Sequence, residues 1–242
     1  MSVWTIVVAA GSGTRFGGLK QFEPLGSRRV VDWGIGTAFW SSDGVVVVFP
    51  ADALATTLGA GHSPVLSEAV RSNLTGASSL QRDEDDRRSR HVWFVEGGAT
   101  RSASVRNGLA SVPEDASVIL VHDGARPFAS LDLFDRVIDA VRAGADGAIP
   151  GVAVTDTIKR VRADGTITAT VDRSELRAVQ TPQAFRAGAL RAAYIDSNGA
   201  TDDAAVVEAS GGRVVVVEGD PENRKITTPA DLEWARQKVA SA

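Results

Sequence analysis

Short β-branched runs alternate with stretches of helical period along most of the chain. Trp4–Ala9, Gly44–Phe49, Val92–Val95, Ser117–Val121, Gly147–Pro150 and Arg213–Val217 read as strands. They are continuously apolar rather than alternating, the pattern of strands buried on both faces. Between them, Val30–Trp40, Ser102–Ser111, Leu131–Ala143, Ala187–Asp196, Asp203–Ser210 and Pro229–Val239 carry the apolar spacing of helices. The last opens as TTPADLEWARQ, with Thr228 as the N-cap and Pro229 in the first helical position. Strand–helix alternation of this kind predicts an α/β fold with a doubly wound, mostly parallel sheet. Such sheets hold ligands at the carboxyl ends of their strands.

Two segments interrupt the pattern. Thr75–His91, TGASSLQRDEDDRRSRH, is charge-dense and poor in apolar residues, and is expected to be a solvated surface loop. Val152–Phe185 instead holds two β-rich runs, IKRV and TITATV, around Ala163–Asp164–Gly165. That spacing predicts a hairpin projecting from the sheet, at about residues 152–177, and a candidate dimerisation arm. No internal repeat is evident, and residues 1–242 read as one domain with this arm attached.

Composition narrows the chemistry. The chain has 242 residues, 43% apolar and 23% charged, which suits one large α/β domain. A net charge of −4 argues against a nucleic-acid partner. Cysteine is absent, so a disulfide framework, a thiolate metal site and a cysteine nucleophile are excluded. The histidines, His62, His91 and His122, are scattered and do not suggest a zinc site. No apolar run approaches the ~18 residues that cross a membrane, and the first residues do not resemble a signal peptide. A cytoplasmic location is the expectation.

The chemistry concentrates first in AAGSGTRFGGLKQF, Ala9–Phe22, directly after the first strand. A glycine-rich turn after a buried strand brings backbone N–H groups up to a phosphate. The turn lacks the Gly-Lys-Ser/Thr of a P-loop. Its glycine spacing departs from a dinucleotide fingerprint, and Asp52 lies roughly forty positions on, where about twenty is expected. An arginine and a lysine following the turn suit a nucleoside triphosphate attacked at its α-phosphate, with the cations neutralising charge on the reacting phosphoryl group and departing pyrophosphate. Taken alone, Arg15 and Lys20 are equally compatible with solvated loop charges.

Further motifs follow in order: EGGATRSASVRNGL (Glu96–Leu109), VHDGARPF (Val121–Phe128), VTDTIKR (Val154–Arg160), TVDRSEL (Thr170–Leu176), QTPQAF (Gln180–Phe185), ATDDAAVVE (Ala200–Glu208) and NRKITTPADL (Asn223–Leu232). Together with the glycine loop this ordered set resembles the 2-C-methyl-D-erythritol 4-phosphate cytidylyltransferase family over nearly the whole chain. The resemblance implies a Rossmann-like nucleotidyltransferase domain of the nucleotide-diphospho-sugar transferase type, a protruding β-arm, a homodimer formed through it, and Mg²⁺. The implied reaction takes CTP and methylerythritol phosphate to the cytidine diphosphate derivative and pyrophosphate.

By the same resemblance, Ala9, Ala10, Gly11 and Gly13 would line the triphosphate and cytosine, and Arg15 and Lys20 would stabilise the pentacoordinate α-phosphate. Gly98 and Ser104 would lie near the base and ribose. Asp123, with Gly124 beside it, would face the triphosphate and supply the metal ligand. Arg126, Thr157, Thr181 and Thr201 would bind the sugar phosphate. Arg173 on the arm would reach the neighbouring subunit's site, and Lys225 would orient the attacking phosphate. The loop between Arg15 and Lys20 is shorter than the commonest family form, with Leu19 in place of a proline, and Ala99 stands where some relatives carry an acid.

The set is chemically coherent. An acceptor that is already a phosphate anion needs no general base, only cations to bring two anions together. The rivals are a ribitol 5-phosphate cytidylyltransferase and a catalytically idle nucleotide-binding protein of the same fold.

Overall fold

The computed structural model describes residues 1–53, 91–195 and 202–241. Thr201, the helix end at Asp196 and the charge-dense loop as far as Arg90 lie outside the described residues. All the predicted strands are present: β1 (Ser2–Val8), β4 (Gly44–Phe49), β5 (His91–Glu96), β6 (Ala116–Asp123), β7 (Gly147–Ala153) and β12 (Val214–Glu218). They run parallel to one another within a single eight-stranded sheet. A small ribbon, β2 (Pro24–Leu25) with β3 (Arg28–Arg29), follows the glycine loop.

The sheet is buried on both faces because successive residues of each strand feed different cores. On β1, Val3 and Val7 enter one cluster, with Phe49 and the residues Leu133, Phe134 and Val137. The last three come from α3 (Leu131–Arg142), and α1 (Val30–Ser41) adds Val31, Ile35 and Ala38 to the same cluster. Trp4 and Ile6 enter the opposite cluster, with Val105, Leu109, Leu190 and Val207. That face is covered by α2 (Arg101–Ser111), α4 (Ala187–Ile195) and α5 (Asp203–Ala209). Two-sided burial is why these strands read as unbroken apolar runs.

Two antiparallel strands escape the sequence pattern. β11 (Gln183–Arg186) is inserted between β6 and β7, pairing with both. β10 (Arg177–Val179) lies on the same edge of β7, further along. Residues 180–182 bulge between the two pairings, and this bulge carries Thr181 toward the end of β6.

The predicted hairpin is β8 (Ile158–Val161) with β9 (Ile167–Val171), a separate two-stranded sheet standing off the main one. Its turn holds Gly165 at φ +85°, a conformation that glycine adopts without steric penalty. Asp164 Oδ1 accepts the Thr166 N–H at 2.9 Å. The fold is thus Rossmann-like α/β with a protruding β-arm.

The C-terminal helix α6 (Pro229–Ala240) begins with the expected cap: Thr228 accepts from the Asp231 N–H, and the Asp231 carboxylate accepts from Thr228 in return. Leu232 and Ala235 pack with Leu25, Val30 and Ile226, and Phe16 of the glycine loop joins them. This third cluster fastens the loop and the chain's end to one another.

Candidate active site

The strand order fixes where a ligand belongs. From β1 the chain moves outward through β4 and β5, then returns to place β6 on the other side of β1. The crevice at this reversal, beyond the carboxyl ends of β1 and β6, is the binding position of doubly wound sheets. Val8 and Asp123 are partners there, the final residues of their strands.

A pocket of about 390 Å³ opens at that point. It is lined by Ala9, Ala10, Gly11, Gly13, Arg15, Lys20, Gly98, Ser104, Asp123 and Lys225, all of them expected from the sequence. Gln21, Thr100 and Arg101 also line it.

The glycine loop is held from within. Gly13 has φ +65°, and a Cβ there would meet the Gly18 carbonyl oxygen at 1.9 Å. The loop therefore folds back on itself only with glycine at this position. Gln21 is buried, and its Nε2 donates to the carbonyls of Ala9 at 2.8 Å and Gly11 at 3.0 Å. Those two carbonyls are thereby engaged on the loop's inner side. Lys20 and Gln21 share a short 3₁₀ turn with Phe22, whose ring packs edge-on to Phe49. The lysine is thus placed at the pocket despite the shortened loop.

On the facing wall Thr100 caps α2 by accepting from the Ala103 N–H. Ser104 Oγ accepts from Gly98 N–H at 3.1 Å and donates to the Thr100 carbonyl at 3.0 Å. The start of α2 thus presents the favourable end of a helix dipole to an anion.

Asp123 is the electrostatic centre. Lys225 Nζ donates to its Oδ2 at 2.6 Å, and Arg101 lies 3.4 Å from Oδ1. Burial alone would raise the carboxyl pKa, but Lys225 and then Arg101 outweigh it and hold the group well below the carboxylate range. Lys225 is positioned by its neighbour Ile226, which is fully buried and donates its N–H to the Ala125 carbonyl at 2.8 Å. Lys20 has its pKa lowered by burial first, then by Lys225 and Arg15. Four cations, Arg15, Lys20, Arg101 and Lys225, crowd a space with one carboxylate, an arrangement suited to a polyanion.

Other expected residues sit elsewhere. Gly124 does not line the pocket; a Cβ there would meet Ala9 Cβ at 2.9 Å, so its smallness lets β6 end close beside β1. Thr181 is buried beneath Asp123, its Oγ1 accepting from the Asp123 N–H at 3.0 Å and bonded to His122 Nδ1 at 3.2 Å. His122 is wholly buried, its Nε2 against the Arg126 carbonyl, and burial pushes its pKa down to about 4. It is therefore a neutral packing residue near pH 7.

Arg126 lies behind the pocket, donating to the carbonyls of Asn223 at 2.7 Å and Val179 at 3.4 Å. It makes no ion pair among the described residues, and burial lowers its pKa. Thr157 and Arg173 are exposed on the arm, away from the pocket, and Arg173 donates to the Thr155 carbonyl.

Arg101, Asp203 and Tyr194 were not singled out by the sequence. Arg101 Nη2 donates to Asp203 Oδ2 at 2.7 Å, and the Tyr194 hydroxyl donates to Asp203 Oδ1 at 2.5 Å. Arg101 and Asp203 each stood in a motif, GGATRSASV and ATDDAAVVE, but nothing local paired them.

Among the described residues no cluster of three or more His, Cys, Asp or Glu side chains forms a metal cage, and no helix is long and apolar enough to cross a membrane. A single carboxylate facing a phosphate pocket still matches how Mg²⁺ is held, through one or two carboxylates plus substrate phosphates and water.

Comparison with known proteins agrees with this geometry. The family model described as 2-C-methyl-D-erythritol 4-phosphate cytidylyltransferase matches residues 3–241. A relative of that name from Rhodococcus opacus is 42% identical over 242 residues, taking in 98% of this chain and 95% of its own. The bifunctional enzyme IspD/IspF of Solidesulfovibrio magneticus is 43% identical over 251 residues, covering 99% of this chain but 58% of that longer protein. The chain thus spans little more than half the length of that relative. The crystal structure of 2-C-methyl-D-erythritol 4-phosphate cytidylyltransferase from Thermus thermophilus superposes with a TM-score of 0.74 at 32% identity, covering 99% of this chain and 100% of that one. With fold and sequence in agreement, the chain belongs to the 2-C-methyl-D-erythritol 4-phosphate cytidylyltransferase family.

Proposed function

We propose that the chain transfers the cytidylyl group of CTP to 2-C-methyl-D-erythritol 4-phosphate. A phosphate oxygen of the acceptor attacks the α-phosphorus, the bond from that phosphorus to the bridging oxygen breaks, and pyrophosphate leaves with the electron pair. The observation that carries this reading is the cluster of Arg15, Lys20 and Lys225 around Asp123 at the switch point of the sheet.

No proton has to be removed from the acceptor, which fits a site whose nearby histidine is neutral and packed away. The glycine loop and the start of α2 receive the phosphates through backbone N–H groups. Arg15 and Lys20 stabilise charge on the reacting phosphoryl group, and Lys225 orients the incoming phosphate. Asp123 would hold Mg²⁺ with the triphosphate oxygens. A bound Mg²⁺ neutralises phosphate charge and orients the leaving group.

Arg126, a half-buried guanidinium whose Nη atoms meet only carbonyls and whose Nε has no partner among the described residues, is suited to receive the acceptor's anion. Arg126→Met is expected to raise the acceptor KM by about tenfold or more, as loss of a charged hydrogen-bond partner does. The CTP KM should change little, and steady-state kinetics at varied acceptor reads the split. A change confined to the CTP KM would remove Arg126 from the acceptor side.

Exposed Val161 and Ile167 on the arm, with Thr157 and Arg173 turned away from their own pocket, support a homodimer in which each arm serves the partner's site. The activity is tested by pyrophosphate release from CTP and Mg²⁺, with methylerythritol 4-phosphate and ribitol 5-phosphate in parallel. Release with the first alone supports the proposal. Release with the second alone keeps the chemistry and changes the acceptor, and silence with both rejects it.

A further inference from the structure

Arg101 lies between two carboxylates and treats them unequally. It is 2.7 Å from Asp203 Oδ2 but 3.4 Å from Asp123 Oδ1. The first distance is that of a charge-assisted hydrogen bond, and the second is considerably weaker. Asp203 is fully buried in the first turn of α5, and its other oxygen takes the Tyr194 hydroxyl at 2.5 Å. Asp202, just before it, caps α5 by accepting from the Ala205 N–H and also receives Gln183 Nε2 at 3.2 Å, so the backbone carrying Asp203 is fixed as well.

We infer that Asp203, braced by the Tyr194 hydroxyl, is a positioning residue that draws Arg101 away from Asp123, so that its Nε and Nη2 reach Asp123 Oδ1 only at 3.4 Å and yield it readily to the divalent cation arriving with the triphosphate. The inference rests on the reading of Asp123 as the metal-holding carboxylate.

The alternative arrangement explains the need. Lys225 already occupies Asp123 Oδ2 at 2.6 Å. An arginine released from Asp203 would find one carboxylate within reach and would engage it as a two-pronged fork, the preferred guanidinium–carboxylate geometry. Both oxygens would then be held by short charge-assisted bonds, and a metal would have to break one of them rather than displace the long contacts now at Oδ1. With Asp203 in place, Arg101 keeps its charge at the pocket wall, where burial opposes that charge but Asp203 and then Asp123 outweigh the opposition.

The test is CTP binding to the full chain by calorimetry, once with saturating Mg²⁺ and once with EDTA. The ratio of the two affinities reports the metal's contribution; because free CTP carries more charge than its Mg²⁺ complex, the ratio also responds to the pocket's charge, and Tyr194→Phe, which changes no charge, is the control on that effect. Asp203→Asn is expected to shrink that ratio roughly tenfold or more, the scale on which outer partners of metal ligands act. Adding Arg101→Met to it should restore most of the ratio, since no guanidinium remains to cap Asp123. An unchanged ratio in Asp203→Asn overturns the inference, as does a folded double variant no better than the single one.

Should Asp203→Asn fail to fold, Tyr194→Phe removes only the brace. A smaller loss of the ratio, relieved by Arg101→Met, is then the supporting result, and no loss is the overturning one. If the wild-type chain shows no Mg²⁺ dependence at all, the metal reading falls and this inference with it. Dependence in the wild type with indifferent variants removes the inference alone.

Discussion

Lys20→Ala should lower turnover by roughly 10²–10³-fold, the cost of one preorganised charge contact in a transition state. It should do so without a loss of thermal stability. Lys20 sits half-buried, near Lys225 and Arg15, and burial followed by those two charges lowers its pKa. For a lysine, a folded-state pKa below the unfolded value means that the charged form disfavours folding. The penalty is present below the folded pKa and disappears above the unfolded one. Alanine removes a contact needed by the reaction together with a repulsion the empty pocket tolerates.

The same shift sets a pH window. As pH rises through the lowered Lys20 pKa, the charge is lost before an ordinary lysine would lose it. Turnover should therefore fall early on the alkaline side, and Lys20→Arg, which stays charged, should extend that limb. Near-normal kcat in Lys20→Ala would show that Arg15 and Lys225 suffice across the shortened loop.

Asp123→Asn should also cost roughly 10²–10³-fold in turnover, corresponding to several kcal/mol of charge stabilisation at the phosphoryl group. Its signature differs from that of Lys20. Asparagine retains the backbone N–H that donates to Thr181, so the end of β6 should keep its place. Lys225 and Arg101 lose their shared carboxylate and the pocket gains net positive charge. CTP measured in EDTA should consequently bind at least as tightly as to the wild type, while turnover with Mg²⁺ collapses. Weaker metal-free binding together with near-normal turnover would contradict the placing of Asp123 at the cation. The carboxylate also contributes to acid stability. Its folded pKa is depressed, so its contribution is present above the unfolded pKa and disappears as pH falls through the folded one. The variant should lack that acid-side decline.

The strands of the sheet were legible because burial on both faces leaves unbroken runs such as Gly44–Phe49, every residue of which is buried. The cap at Thr228 and the hairpin turn at Gly165 were legible because each is a local rule. β10 and β11 were not. Gln180 and Gln183 are buried yet polar, satisfied by the Asp220 carbonyl and by Asp202, and their burial depends on partners that no local window contains. The site divides in the same way. Glycines and cations packed into one loop announce a phosphate, whereas Asp203 is a helix-start acid in sequence and becomes Arg101's partner only across 102 positions of chain. Thr181 sits beside Asp123, where its hydroxyl accepts from the Asp123 N–H, a contact that depends on the fold and not on any local pattern.

The arm has a consequence for how such a chain diversifies. Ala153, where it departs, and Arg177, where it returns, face each other on a single rung of the β7–β10 ladder. Whatever lies between them is an appendage with both feet on the same step. Its length and contacts can drift without moving the register of the sheet on which Val8 and Asp123 sit. A change in the arm can therefore alter what the arm reaches while leaving in place the frame from which it springs.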